Sequence, residues 1–540
     1  MHHRAAHNQP FEWGFESVAT YADPFNDVVL DVLVTDPDGR EVRVPTFWAG
    51  DQSWRVRFAA AKLGVHRWRT DCSDRSNPDL HGREGTLEVV PYTGANPLYV
   101  HGPLRASTSG RWLEHADGTP FLWLADTWWL GLSDRLDWPG GFQTLTADRA
   151  DKGFTVVQLV AGLMPEGHDR QFFNNGLQAW EPEWARVVPS FFDLMDLRIE
   201  ALVRAGITPC IFGSWGWYIR WTGVERLKQH WRHLIARYGA FPVVWCLCGE
   251  LTRPSDLVDD DVTRTDTRES YLLRTRGEWS QVMAYLRTTD PYGRLATAHP
   301  QNASRYDLSD DLLDFDMLQT GHHDRIHLPR TVKEVTSAYA RVPAMPVIDS
   351  EVAYEGIQGV NGADIQRLMF WVCMLSGACG HTYGANGVMQ MNTSDSIWTH
   401  APGQMAHIGT PWEEAYKLPG SRQVGMAKRL LERYRWWAFE PHPEWVDPHW
   451  SEADYYVAYA AGIPRQVRVI YATHVARRLT VKGLEPGVAY HAYYVSPLDD
   501  KEYPAGEVTP NAEGDWQPAI APYYQDWVLI LECDGARVER

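Results

Sequence analysis

Between residues 121 and 383 the chain carries eight short apolar runs without polar alternation: Phe121–Ala125, Thr155–Val160, Thr208–Phe212, Val243–Leu247, Arg294–Ala298, Phe315–Gln319, Pro346–Ile348 and Ala378–Tyr383. A strand with one wet face alternates, so unbroken runs of this length belong to strands buried on both faces, as in a parallel sheet covered by helices. Helical periodicity fills the gaps, for example at Phe191–Ala205, Val224–Tyr238, Ser270–Thr288 and Asp364–Leu375. Eight strand–helix units predict an α/β fold of the (β/α)8 TIM barrel class, whose core needs roughly 250 residues.

The flanks read differently. Val28–Val34, the turn at Pro37-Asp38-Gly39, the alternating Trp54–Phe58, His66–Arg69 and Gly85–Val90 are short strands with turn residues between them, the pattern of a small β-sandwich. After a last helical stretch near Gly420–Trp436, alternation returns at Asp454–Ala460, Gln466–Tyr471, Arg478–Val481, Ala489–Val495 and Asp526–Glu532. The expected division is therefore an N-terminal β-sandwich over 1–103, a catalytic barrel over 104–440 and a C-terminal β-sandwich over 441–540. No internal repeat is present, which removes solenoids and propellers.

Charge narrows the partners. With 51 Lys and Arg against 69 Asp and Glu, the formal charge of −18 disfavours nucleic acid and anionic membrane surfaces. The opening Met1-His2-His3-Arg4 lacks the apolar core of a secretory signal, and no run of ~18 apolar residues could span a bilayer, so a cytoplasmic location is expected. Seven scattered cysteines, mostly inside apolar runs, read as buried free thiols. The sequence leaves the oligomeric state open, a homo-oligomer included. The 26 Trp, beside 24 Tyr and 17 Phe, exceed what a core needs and suggest flat surfaces for a ring-shaped ligand.

In such barrels the reacting groups sit at the C-terminal ends of the strands. Here those ends read Asp126-Thr127-Trp128-Trp129, Ser214-Trp215-Gly216-Trp217-Tyr218, Cys248-Gly249-Glu250, His299, Gln319 followed by Gly321-His322-His323, Asp349-Ser350-Glu351 and His381-Thr382-Tyr383. Glu250 after strand four and Glu351 after strand seven stand across the mouth from each other. A carboxylate ending an apolar strand costs several kcal/mol unless a cleft or a partner compensates it. Two such groups over an aromatic pocket are what glycoside hydrolysis requires, one to protonate the leaving oxygen and one to attack or to activate water. The competing explanation for each is a buried salt bridge. Glu355 is the rival to Glu351 on strand seven. Asp126 can hold sugar hydroxyls or cap the following turn. His299, His322, His323 and His381 could in principle build a metal site, but strand one lacks the His-x-His of metal-dependent barrel hydrolases, so contact with hydroxyls or carboxylates is expected instead.

The run Asp117-Gly118-Thr119-Pro120-Phe121-Leu122-Trp123-Leu124-Ala125-Asp126-Thr127-Trp128, the stretch Met345–Gly356 and the segment Gly377–Gly384 resemble the apiosidase-like barrel domain (domain of unknown function 4038), related to glycoside hydrolase family 140. The resemblance covers nearly the whole chain. It implies a retaining exo-glycosidase of the clan A type, with Glu351 matching the nucleophile and Glu250 the acid/base; a two-glutamate mechanism needs no cofactor or metal. Two departures stand out: Gly249 occupies the place where clan A barrels commonly carry Asn, and Glu250 stands where the apiosidase itself is thought to use aspartate. On this reading Trp128, Trp215, Trp217 and Tyr218 stack on sugar faces. Asp126, Gln158, His299, His322 and His381 hold hydroxyls, and Tyr383 or a histidine keeps Glu351 ionised. The long segments 162–188 and 251–269 wall off one end of the cleft and favour exo action on a plant or microbial glycoside or oligosaccharide. The alternatives are a non-catalytic carbohydrate-binding protein on a barrel scaffold and a metal-dependent barrel hydrolase.

Overall fold

A computed structural model describes residues 1–166, 169–253, 268–397 and 409–538. Its centre is one eight-stranded parallel sheet: β1 (Trp123–Thr127), β2 (Val156–Leu163), β3 (Thr208–Ser214), β4 (Val244–Cys246), β5 (Ala296–Thr297), β6 (Asp316–Gln319), β7 (Val347–Glu351) and β8 (Gly380–Tyr383). Sequential strands pair, and β8 returns to pair with β1. Between β5 and β6 the wall is closed by single bonds, Asp314 N–H to the Ala296 carbonyl at 3.0 Å and Thr297 Oγ1 to the Phe315 carbonyl at 2.8 Å. The eight strands coincide with the eight apolar runs, because each strand must be apolar toward both the lumen and the covering helices.

Helices follow at Gly140–Asp151, Pro189–Arg204, Tyr218–Tyr238, Arg268–Thr289, Leu328–Ala340, Ala363–Leu375 and Pro419–Leu431. A three-stranded antiparallel sheet over Leu104–Ala106, Leu113–His115 and Pro120–Phe121 leads into β1.

The N-terminal region is a five-stranded and a three-stranded sheet enclosing a core that includes Trp13, Phe15, Val32, Trp54 and Trp68. It docks on the barrel through a buried ion cluster: Arg57 and Arg237 both bond Asp196, Arg237 Nε at 2.8 Å. Burial alone would raise the Asp196 carboxyl, but the two guanidiniums outweigh it and hold it at about 2.

The C-terminal region is a six-stranded sheet faced by a two-stranded ribbon of Val446–Asp447 and Thr480–Val481. Its strands alternate between two cores. Tyr459, Val469, Tyr471 and Ile530 face the barrel, while Ala458, Ala460, Ile470, Leu529 and Leu531 form the domain's own core. Against helix Ala363–Leu375, Trp371 stacks on Tyr471 at 6.1 Å and Arg367 pairs with Asp526 at 2.7 Å. Six of the seven cysteines are buried and all are unpaired. Among the described residues no helix is long and apolar enough to cross a membrane.

Candidate active site

Glu250 lies just past β4, buried, at φ 46°, in the left-handed region that non-glycine residues seldom occupy. Such backbone outliers gather at functional sites, where surrounding structure must enforce them. Here the ends of β3 and β4 interlock. Gly216 N–H bonds the Gly249 carbonyl at 2.7 Å and Gly249 N–H bonds the Ser214 carbonyl at 2.9 Å. A Cβ on Gly249 would meet the Trp215 ring at 2.4 Å, and one on Gly216 would meet the Glu250 carbonyl at 2.6 Å. Both glycines are needed for this approach, which brings Trp215 Nε1–H to 3.1 Å from Glu250 Oε2. The departure at Gly249 thus has a steric reason: an asparagine there would displace the indole. Gln319 Nε2, at the end of β6, donates to Glu250 Oε1 at 3.2 Å, and Arg253 Nη1 reaches both carboxylate oxygens at 2.8 Å.

Glu351 ends β7, where the register slips: Leu318 pairs with Asp349 but Gln319 pairs with Glu351. Its Oε1 is 3.0 Å from His322 Nε2, and its Oε2 is 3.0 Å from His299 Nε2, the latter off the line of a hydrogen bond. Burial raises a carboxyl, but here the two imidazoles overcome it and hold Glu351 well below the usual carboxylate range. His322 is affected in the opposite sense. Burial lowers it, yet Glu351 and then Glu250 raise it above its ordinary value. Both carboxyls therefore act on the same imidazole. Tyr354 stacks on the His322 ring at 5.0 Å, its phenol pushed up by burial and by Glu351. Gly384 makes room for that ring, since a Cβ would fall 2.1 Å from it.

Of the aromatic residues expected at the mouth, Trp215 and Trp217 are there, 5.9 Å apart. Trp129, not singled out from the sequence, joins them, with its ring 5.3 Å from Trp215, 4.9 Å from Phe212 and 5.8 Å from His299. Gln158 lies in the barrel lumen, donating to Thr382 Oγ1 at 3.1 Å with its own Oε1 unpaired. Gln319, Arg253 and Tyr354 also stand at the site without a role assigned from sequence. The signal for Gln319 was present, since it ends an apolar run as Glu351 does.

Five expected residues lie elsewhere. Asp126 points away from the lumen, where Arg149 Nε at 2.6 Å and Trp128 Nε1 at 2.7 Å hold it in full burial. Trp128, bound to Asp126 and edge-on to Phe142, is sealed from solvent and cannot stack on a sugar. Tyr218 is buried at the start of its helix, its hydroxyl donated to the Arg170 carbonyl. His381 faces outward against Phe370 at 5.5 Å, and burial lowers it to about 3. Tyr383 also faces outward, bonding Glu355 Oε2 at 2.7 Å rather than Glu351. Glu355 in turn accepts from Gly420 N–H at the start of helix Pro419–Leu431. It braces that helix, which leaves Glu351 as the strand-seven carboxylate at the mouth.

Segment 169–188 folds on itself through short bridges at Asn174/Leu177 and Trp180/Val187, and Trp180 Nε1 donates to His230 Nδ1 at 3.1 Å; 254–267 of the second long segment lies outside the described residues. The described residues hold no group of three or more His, Cys, Asp or Glu side chains arranged for a metal.

A family model of the apiosidase-like catalytic domain matches residues 107–438, the whole barrel with both glutamates. The chain belongs to the apiosidase-like family. This apiosidase-like protein is a glycoside hydrolase, and its residues 5–73 match a further family model, a domain of unknown function, DUF5060. In fold it is similar to a Bacteroides vulgatus chain provisionally assigned to the glycoside hydrolases, at 18% identity and TM-score 0.70 over 99% of this chain and 100% of that one. It is also similar to a glycoside hydrolase family 5 protein of Bacteroides vulgatus, at 21% identity and TM-score 0.65 over 82% and 95% of the two chains. A further glycoside hydrolase matches at 22% identity and TM-score 0.67 over 82% and 99%. No curated protein matches the apiosidase-like chain.

Proposed function

We propose that the enzyme is a retaining, exo-acting glycosidase that removes a terminal sugar by double displacement. Glu351 attacks the anomeric carbon and Glu250 protonates the departing oxygen, then deprotonates the incoming water. The observation that carries this reading is the contrast between the two carboxyls. Glu351 is clamped between two imidazoles that keep it ionised, as a nucleophile must be. Glu250 faces an indole N–H, an amide and the half-exposed guanidinium of Arg253, a partner that an entering sugar can displace. Trp129, Trp215 and Trp217 supply ring faces for the sugar, and Gln158 Oε1 and Gln319 are polar groups within the barrel end for its hydroxyls. No cofactor enters the scheme.

The test is turnover of a panel of aryl glycosides, with NMR of the first anomer released. Retention of configuration on the wild type, with loss of turnover in both Glu250→Gln and Glu351→Gln, is the expected result. Release of the inverted anomer would replace the nucleophile by a water-activating base. Turnover equal in the wild type and both variants would end the two-glutamate reading.

A further inference from the structure

The C-terminal sheet carries an exposed aromatic strip that begins at the active-site rim. Arg325, three residues beyond His322 in the β6 loop, lies over the ring of Tyr456 at 4.6 Å. The Tyr456 hydroxyl meets His474 Nδ1 at 3.0 Å, and the His474 ring meets Tyr524 at 5.1 Å. Tyr524 is 71% exposed, and Tyr523 beside it is 57% exposed. Neither ring is loose. The Arg477 guanidinium, anchored on the Ala521 carbonyl at 3.0 Å, sits over Tyr524 at 5.4 Å. Tyr523 stacks on buried Trp527 at 6.3 Å and meets Tyr503 edge-on at 6.0 Å.

Aromatic rings held stiff at the surface lose little freedom when a ligand covers them. Their chemistry selects among ligands. Tyr524 has His474 edge-on and Arg477 over one face, and Tyr523 has the Tyr503 ring edge-on, so the strip offers an apolar face next to hydrogen-bonding groups, as the C–H face and hydroxyls of a sugar require. A stable protein partner would need an interface above ~1,000 Å², more than a few side chains supply. Through Arg325 and Tyr456 the strip adjoins the β6 loop that carries His322. We infer that Tyr523, Tyr524 and His474 form a secondary glycan-binding surface, holding a distal part of the glycan whose terminal residue occupies the barrel mouth. The inference rests on the glycosidase reading and assigns it a substrate longer than a simple glycoside.

The experiment compares wild type with Tyr523→Ala/Tyr524→Ala in two assays. One is native affinity electrophoresis in gels containing galactomannan, xyloglucan, arabinogalactan or polygalacturonate. The other is kcat/KM on the polysaccharide that retards the wild type and on the aryl glycoside it cleaves. Expected are lost retardation and an approximately tenfold fall on the polymer, equivalent to ~1.4 kcal/mol, with aryl glycoside turnover unchanged. Lost retardation by a protein that cleaves no glycoside would keep the surface while removing the catalytic reading. A wild type retarded by none of the four polymers, or a double variant still retarded like it, would overturn the inference. So would a variant whose light-scattering mass drops to half, which would make the strip a contact between two copies of this chain.

Discussion

His322 Nε2 lies 3.0 Å from Glu351 Oε1, and the two groups shift each other in opposite directions, the imidazole upward and the carboxyl downward. A carboxyl held below its ordinary 4.5 stabilises the fold above that value and loses the contribution as pH falls through its folded value. A histidine held above 6.5 contributes fully below 6.5 and loses the contribution as pH rises through its folded value. The pair is therefore strongest between about 4.5 and 6.5 and weakens above that until His322 has deprotonated. In His322→Gln the burial of Glu351 is left opposed by His299 alone. The acid limb of kcat/KM is expected to move to higher pH by about one unit, ~1.4 kcal/mol. An unmoved limb would show that His322 does not hold the charge of Glu351.

Trp215 touches Glu250 through a single indole N–H while its ring fills the space a side chain at 249 would need. Trp215→Phe keeps most of the ring and removes the donor. A neutral hydrogen bond to a carboxylate is worth about 1.5–3 kcal/mol, so kcat is expected to fall by roughly ten- to a hundredfold, with KM changed less. A KM increase with kcat intact would assign Trp215 to sugar stacking alone.

Asp126 and Arg149 form a pair that no solvent reaches, bonded at 2.6 Å with Trp128 as a further donor. Removing one partner of such a pair costs about 3–5 kcal/mol, because it strands the other charge. Asp126→Ala is expected to lower the denaturation midpoint sharply. Activity per folded molecule should hold. A variant of normal stability with a raised KM would return Asp126 to the sugar site.

These placements show how far the sequence could be read. The barrel was legible because eight apolar runs leave few alternatives, and Glu250 and Glu351 were legible because a carboxylate ending such a run needs a reason. What failed was direction. In β1 and β8, Trp123 and Thr382 meet in the lumen while Asp126, His381 and Tyr383 point to the helices. Alternation persists in a strand buried on both faces, but apolar residues on both sides erase its signature. The slip between β6 and β7 and the left-handed turn at Glu250 were likewise invisible, because no residue type demands them. Arg253 carries no signal for another reason: its guanidinium reaches Glu250 from the loop after the strand, and loop side chains carry no periodicity.

The two glutamates are separable by leaving group. A general acid matters only when the departing oxygen needs a proton, and it contributes typically ~10²–10⁴-fold. A nucleophile is needed whatever departs. For Glu250→Gln, kcat/KM on an unactivated alkyl glycoside is expected to fall within that range, while a 2,4-dinitrophenyl glycoside of the same sugar loses little in the glycosylation step. For Glu351→Gln both substrates should be lost together. A common profile for the two variants across leaving groups would mean that Glu250 is not the acid, and its contacts with Trp215, Gln319 and Arg253 would then be read as structural.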